Sequence, residues 1–153
     1  MLISTMKSEE CREFLARHSV GRLACARDRQ PYIVPIYFAY ESDQLYGFTT
    51  PGQKVEWMRA NPLVCVEADE VLSQENWTSV VVLGRYEELP EIKGYSEERN
   101  KARSLLVNHA SWWETAYVTS VVRGQTEPPV PVFYRIHITE ITGRRASPEN
   151  PPV

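Results

Sequence analysis

The chain has 153 residues, of which 24% are charged and 42% are hydrophobic, and its formal net charge at pH 7 is -3. These values are typical of one folded domain and argue against a disordered chain. The acidic balance does not favour a nucleic-acid partner, because surfaces that bind duplex DNA are usually basic.

The cysteines and the apolar runs indicate neither a disulfide scaffold nor a membrane protein. Cys11, Cys25 and Cys65 are far apart and form no C-x-x-C pair, and the histidines are scattered, so no metal ligands are assigned. The N-terminus lacks the apolar core of a signal peptide, and the runs LVCV and VVVL are too short to span a bilayer. We expect a cytoplasmic protein with no membrane partner.

The first third of the chain predicts a helix followed by strands. Ser8 and the two glutamates after it are typical of a helix start, and apolar residues recur at helical spacing as far as His18. The segments SVGRLACA and YIVPIYFAY predict two strands joined by a turn at DRQP, and LYGFTT predicts a third strand after ESDQ. A short helix follows, with Thr50 as its cap in the pattern T-x-x-Q and Pro62 beyond its end.

The rest of the chain predicts more strands and one more helix. LVCVEAD and SVVVLGRYEEL are predicted strands, the second with a bulge at Gly84. SEERNKARSLLVNHA predicts a helix and VPVFYRIHITEITG predicts a last strand. Such a set of short strands predicts a mainly β fold, a small antiparallel barrel that is closed or split. We expect a single domain over residues 1–146 and a flexible, proline-rich tail over 147–153.

The start of the mid-chain helix carries more polar donors than a helix cap requires. Lys54 lies in the first turn, where the helix dipole disfavours a cation and favours an anion. The hydroxyls of Thr49 and Thr50, the backbone amides of Gly52 and Gln53, and the Lys54 ammonium are the donors that a phosphate monoester needs. The alternative is an ordinary capped helix that happens to carry a lysine.

Two strands contain residues that suit a planar ligand. Pro35 interrupts the ladder of hydrogen bonds in its strand and leaves neighbouring backbone groups available to a heteroaromatic ring, although an edge strand would explain the proline equally well. Trp77 and Ser79 bring an aromatic ring and a hydroxyl to the start of an aliphatic strand, where the alternative is ordinary turn capping.

The segment NHASWWETAY is the candidate wall of a substrate pocket. His109, Trp112 and Trp113 offer aromatic surface for stacking on a ring. The alternative is that these side chains bury the preceding helix or a contact between subunits.

In this order, the segments 20–69 and 77–89 resemble the FMN-binding split β-barrel superfamily, and within it the pyridoxamine 5'-phosphate oxidase-related proteins that include the nitroimidazole-resistance group. The closing RIHITEITGRR is similar to the last strand of that group. The resemblance implies a split antiparallel barrel with short helices and a homodimer with two FMN sites at the subunit interface. By position it implies the following cofactor-binding residues: Thr49, Thr50 and Lys54 at the phosphate, Pro35, Ile36 and Tyr37 along the isoalloxazine ring, and Trp77 and Ser79 from another strand.

The resemblance also implies a function. It indicates an FMN-dependent oxidoreductase that passes a hydride or electrons to a small acceptor, with NAD(P)H as the donor. No catalytic side chain is assigned, because the flavin carries the redox chemistry. The alternative is a non-catalytic flavin or haem carrier on the same barrel. The ending GRRASPENPPV does not match the arginine-rich motif of true pyridoxamine-phosphate oxidases, so vitamin B6 chemistry is not predicted.

Overall fold

The structure is a computed structural model, and it describes residues 1–109 and 131–149 except for the side chains of residues 108 and 109. The elements in chain order are β1 (Leu2–Thr5), α1 (Ser8–Arg17), β2 (Val20–Arg27), β3 (Gln30–Tyr37), β4 (Ala39–Glu41), β5 (Gln44–Thr49), α2 (Gln53–Ala60), β6 (Leu63–Ser73), β7 (Asn76–Leu89), a 3-10 turn (Lys93–Tyr95), α3 (Ser96–His109) and β8 (Val132–Ser147).

All eight strands belong to one antiparallel sheet that curls without closing. The order is β3-β2-β6-β7-β8-β5-β4, and β1 pairs with the far end of β8. The long strand β8 makes the curl, because it pairs with β7 along most of its length, with β5 near its start and with β1 near its end. β3 and β5 approach each other across the opening. The predicted split antiparallel β-barrel is confirmed.

Two apolar clusters hold the sheet in this shape. The inside of the barrel and the apolar face of α1 share one cluster, in which Phe14, Leu15 and Tyr134 are almost fully buried. The second cluster lies under α3, where Ala102 and Leu106 are buried against residues of β5, β7 and β8. No helix among the residues described is long and apolar enough to cross a membrane.

Two predicted local features lie at their expected positions in the sheet. The register of β7 against β8 shifts between Leu83 and Gly84, as predicted, but the extra residue of this bulge is Thr139 of β8 and not a residue of β7. Pro35 lies on β3, which is an edge strand of the sheet. This position explains why a residue without an N–H is tolerated there.

The starts of two helices differ from the prediction, and one strand was not predicted. α2 begins at Gln53 after an extended Gly52, so Thr50 does not cap it, and the Thr49 hydroxyl donates to the Thr50 carbonyl at 3.3 Å. Similarly, α1 begins at Ser8 itself, and the Glu10 carboxylate accepts the N–H of Lys7 at 3.1 Å. β1 was not predicted, because all four of its residues are exposed and show no alternation.

The β2–β3 turn stores strain that a single substitution should relieve. Asp28 and Arg29 have φ values of 49° and 67°, a left-handed conformation that costs a residue with a Cβ roughly 1–2 kcal/mol. Arg29→Gly should therefore raise the free energy of unfolding by roughly 0.5 kcal/mol, after the extra entropy of glycine in the unfolded chain is subtracted. Urea denaturation measures the change. Arg29→Ala keeps the Cβ and should give no gain; an equal gain from alanine would rule out backbone strain as the cause.

Candidate functional site

A cavity of about 270 Å³ opens where the end of β5 and the start of α2 meet the edge strand β3. It brings together six of the predicted cofactor-binding residues with one further residue, and its lining consists of Pro35, Ile36, Tyr37, Phe48, Thr49, Thr50 and Lys54. We call it the Lys54 pocket. The curl of the sheet creates it, because β3 and β5 are far apart in the strand order but adjacent in space.

Lys54 is the only cation among the residues that line this pocket. Burial lowers the pKa of its ammonium, and the charge interaction with the nearby Cys25 raises it by a smaller amount. Within the described ranges, Lys54 makes no ion pair with a carboxylate. A partly buried ammonium without an anion is an unfavourable arrangement for the free protein, and a bound anion would relieve it.

The two threonines line the pocket together with Lys54. Thr49 is the last residue of β5 and only 7% exposed, and Thr50 begins the turn into α2. Because α2 begins three residues after Thr50, neither hydroxyl caps the helix. Both side chains therefore line the cavity instead of closing the helix end.

Trp77 and Ser79 do not reach the Lys54 pocket of their own chain. They lie in a second, larger cavity of about 370 Å³ on the outer face of β7, β8 and β1. This outer cavity is lined by Thr5, Trp77, Ser79, Val81, Thr142, Gly143 and Arg144. The Ser79 hydroxyl donates to the Glu67 carboxylate at 2.9 Å.

The other predicted site residues lie apart from the Lys54 pocket or outside the described residues. Gly52 and Gln53 are exposed beside it and do not line it. His109 ends α3, but its side chain is not described, and Trp112 and Trp113 lie outside the described residues. Their roles stay predictions.

The histidine side chains that the structure describes are occupied away from the pocket. The Nδ1 atom of His18 lies 2.7 Å from the Phe14 carbonyl, and its ring stacks on Phe14. The Nε2 atom of His137 lies 3.3 Å from the Glu87 carboxylate. Neither residue lines the Lys54 pocket.

Sequence reasoning missed several residues that line the two cavities, among them Phe48 and Arg144. Phe48 lines the Lys54 pocket beside Thr49, and Arg144 lines the outer cavity opposite Ser79. Strand alternation alone puts Arg144 on one face of β8, but only the register between β7 and β8 places it beside Ser79.

Comparison with known proteins places this chain in a family. The family described as pyridoxamine 5'-phosphate oxidase has a sequence model that matches residues 7–145. The chain belongs to this family. The match covers every described strand except β1 and the last residues of β8. It confirms the resemblance on which the site prediction depends.

Three known proteins are similar to this chain in sequence or in fold. A crystal structure of an FAD-binding protein from Mesorhizobium loti is 47% identical, covers 97% of this chain and 99% of its own, and superposes with a TM-score of 0.78. An uncharacterized protein of Rhizobium meliloti (strain 1021) is 43% identical over 95% of this chain and 97% of its own length. A proposed 5-nitroimidazole antibiotic resistance protein from Bacteroides thetaiotaomicron has the same fold, with 18% identity, coverage of 95% of this chain and 89% of its own, and a TM-score of 0.65.

Proposed function

We propose that this chain is a flavin-dependent oxidoreductase that holds FMN in the Lys54 pocket and passes a hydride or electrons through it to a small acceptor, with NAD(P)H as the donor. The observation that carries the proposal is the partly buried Lys54 ammonium, which has no anionic partner among the described residues and lies beside two threonine hydroxyls. A phosphate dianion suits this set of donors.

The remaining walls of the pocket suit the rest of the cofactor. Ile36 is buried, whereas Pro35 and Tyr37 face outward along the edge strand, where a flat ring can lie against the backbone. The Mesorhizobium loti protein is described as FAD-binding. FAD and FMN share the ring, the ribityl chain and the first phosphate, and these are the parts that the Lys54 pocket fits. We propose FMN because the donors beside Lys54 match a single terminal phosphate group.

We also propose that the functional unit is a homodimer. At about 270 Å³ the Lys54 pocket is slightly smaller than a typical small-molecule pocket of roughly 300–1,000 Å³, which suggests that a second chain completes it. The outer face of the sheet carries exposed apolar side chains on neighbouring strands, namely Val20, Ile33, Leu63, Val81 and Leu83. Such a surface is typical of a protein–protein contact.

The register of the sheet supports one way in which two copies would combine the two cavities. Pro35, Arg22, Glu67, Val81 and Thr142 form one row across β3, β2, β6, β7 and β8. β6 is the middle strand of this row. Consider a two-fold axis that runs parallel to β6 on the outer face of the sheet. This axis would place the strands of one subunit over those of the other in reverse order, so β3 of one subunit would lie over β8 of the other. The Lys54 pocket of one chain would then face the outer cavity of its partner, which contains Trp77 and Ser79.

The bound flavin would supply the redox chemistry, and the protein side chains would fix its position and control access to it. Lys54 and the two threonines would anchor one end of the cofactor, and β3 would support one side of the ring. His109, Trp112 and Trp113 remain the predicted wall of the acceptor pocket, and the cytoplasm remains the expected location.

Titration with FMN, riboflavin and FAD tests the proposal directly. Because the phosphate is proposed to provide the anchoring charge, riboflavin should bind at least about 100-fold more weakly than FMN. Flavin fluorescence quenching measures both affinities. Equal affinity for riboflavin and FMN would contradict the phosphate site, and tight binding of FAD without binding of FMN would contradict FMN as the cofactor.

A second measurement separates the oxidoreductase from a carrier. Under anaerobic conditions, NADH or NADPH should bleach the absorbance of the bound FMN, and a small acceptor should restore it. If the protein binds FMN but neither nucleotide reduces it, the flavin-carrier alternative is favoured and the proposed donor is wrong. A Soret band in the purified protein would favour haem.

A further inference from the structure

The outer cavity contains an arginine that the proposed flavin anchor does not use. Arg144 lies directly opposite Ser79 on β7 and Thr5 on β1, so the three residues form one row across the cavity. Trp77 lines the same cavity one row away. A cation beside an indole ring and two hydroxyls is a suitable environment for a planar ligand that carries hydrogen-bond acceptors on its rim.

The charge of Arg144 is not neutralised by the described part of its own chain. Its side chain is exposed, and it makes no ion pair among these residues. Asp69 of β6 lies opposite Ser79, on the other side of Ser79 from Arg144. Its carboxylate pairs with the Arg22 guanidinium at 2.8 Å. The adjacent Arg145 differs, because it lies on the opposite face of β8 and pairs with Glu10 of α1 at 3.2 Å.

We propose that Arg144 of each subunit contacts the flavin ring held in the Lys54 pocket of the other subunit, at the ring edge that carries N1 and the C2 carbonyl. This inference rests on the proposed function, and specifically on the homodimer. Pro35 of β3 and Thr142 of β8 belong to one row across the sheet. Tyr37 lies two residues beyond Pro35, and Arg144 lies two residues beyond Thr142, in the same direction along the strands. Reversal of the rows about β6 brings Tyr37 of one chain next to Arg144 of the partner subunit.

The ring edge is a better target for Arg144 than the phosphate. In the proposed site, the phosphate already receives hydrogen bonds from Lys54 and two threonine hydroxyls of the subunit that holds it. N1 and the C2 oxygen are adjacent acceptors in one plane, and the flat, forked guanidinium matches such a pair. Reduction of a flavin increases the negative charge at this edge, so a fixed cation there binds the reduced ring more tightly than the oxidised ring and raises the midpoint potential.

The test compares Arg144→Gln with Arg145→Gln in the full-length dimer. Arg144→Gln should weaken FMN binding roughly tenfold, weaken riboflavin binding by the same factor, and lower the midpoint potential of the bound flavin. Arg145→Gln removes the same charge from the other face of the strand and should leave all three quantities unchanged. Arg144→Lys keeps the charge without the fork and should restore most of the potential but only part of the affinity.

Specific results would overturn the inference. An unchanged potential in Arg144→Gln would do so, and so would a loss of affinity for FMN without a loss for riboflavin, because the contact would then be with the phosphate. If the wild type binds FMN as a monomer by analytical ultracentrifugation, the inference fails and flavin binding stands. If the wild type binds no flavin, the proposed function itself fails. If Arg144→Gln does not fold, Arg144→Lys provides the test. A folded Arg144→Lys with weakened FMN affinity and an unaltered midpoint potential supports the ring contact. Wild-type FMN affinity in Arg144→Lys contradicts it.

Discussion

Lys54→Met should remove most of the affinity for FMN while the protein without flavin stays as stable as the wild type or becomes more stable. The hydrogen bond from a lysine to a phosphate is worth roughly 1.5–3 kcal/mol, so the affinity should fall about 10- to 150-fold. Methionine keeps the apolar length of the side chain, which is partly buried in the pocket. The folded state already disfavours the charged ammonium, since burial lowers the pKa of Lys54. Flavin titration and urea denaturation of the apoprotein measure the two effects.

Three comparisons make this test specific. Lys54→Glu places a like charge beside the phosphate and should weaken FMN binding more than Lys54→Met does. Riboflavin has no phosphate, so its affinity should change little in Lys54→Met. Lys93→Met removes an exposed lysine from the 3-10 turn, outside the pocket lining, and should leave FMN binding intact. An FMN affinity in Lys54→Met equal to that of the wild type would eliminate the phosphate role of Lys54.

The pH dependence of binding gives an independent readout of the same residue. In the protein without flavin, burial lowers the pKa of Lys54, so the ammonium loses its proton at a lower pH than an exposed lysine does. FMN affinity should therefore fall on the alkaline side as the pH rises through this lowered pKa. In Lys54→Met this alkaline loss should be absent.

The strands with a buried face were predictable, and those without one were not. β2, the second half of β3 and β8 show a period of two, and their inward residues, such as Leu23, Ile36 and Ile136, are buried as expected. β1 has no buried residue and gives no such signal. The predicted strand YIVPIYFAY is two strands, because the chain breaks at Phe38 and Ala39 starts a new pairing with Tyr46. Pairing between distant segments is not encoded in local periodicity.

The site was predictable to the extent that it is local in sequence. Lys54 and the threonines are neighbours along the chain, and the family resemblance adds β3 to them. The distance between the Lys54 pocket and Ser79 within one chain was not predictable from spacing, because it depends on the order of strands in the sheet. Arg144 was missed for the same reason: its partner Ser79 is identified only when the register of β7 against β8 is known.

Gly47→Ala should be among the most destabilising single substitutions in the described part of the chain. Gly47 of β5 lies directly opposite Tyr134 of β8, and the aromatic ring covers it. A Cβ built on Gly47 would lie 2.2 Å from Cζ and 2.4 Å from the hydroxyl of Tyr134. Tyr134 is 1% exposed and packs beside Tyr86, with 5.6 Å between ring centroids, so the ring has little room to move.

Because the clash lies in the barrel core, Gly47→Ala should lower the free energy of unfolding by roughly 3 kcal/mol, at the upper end for overpacked cores. It should also weaken FMN binding, since β5 carries Thr49 into the Lys54 pocket. Gly94→Ala provides the control, because an added Cβ there meets nothing within 4 Å. In a double-mutant cycle, Tyr134→Leu should shorten the facing side chain and recover part of the loss, so the two substitutions together should cost less than their sum. Strict additivity would show that contact with Tyr134 is not the reason for glycine at this position.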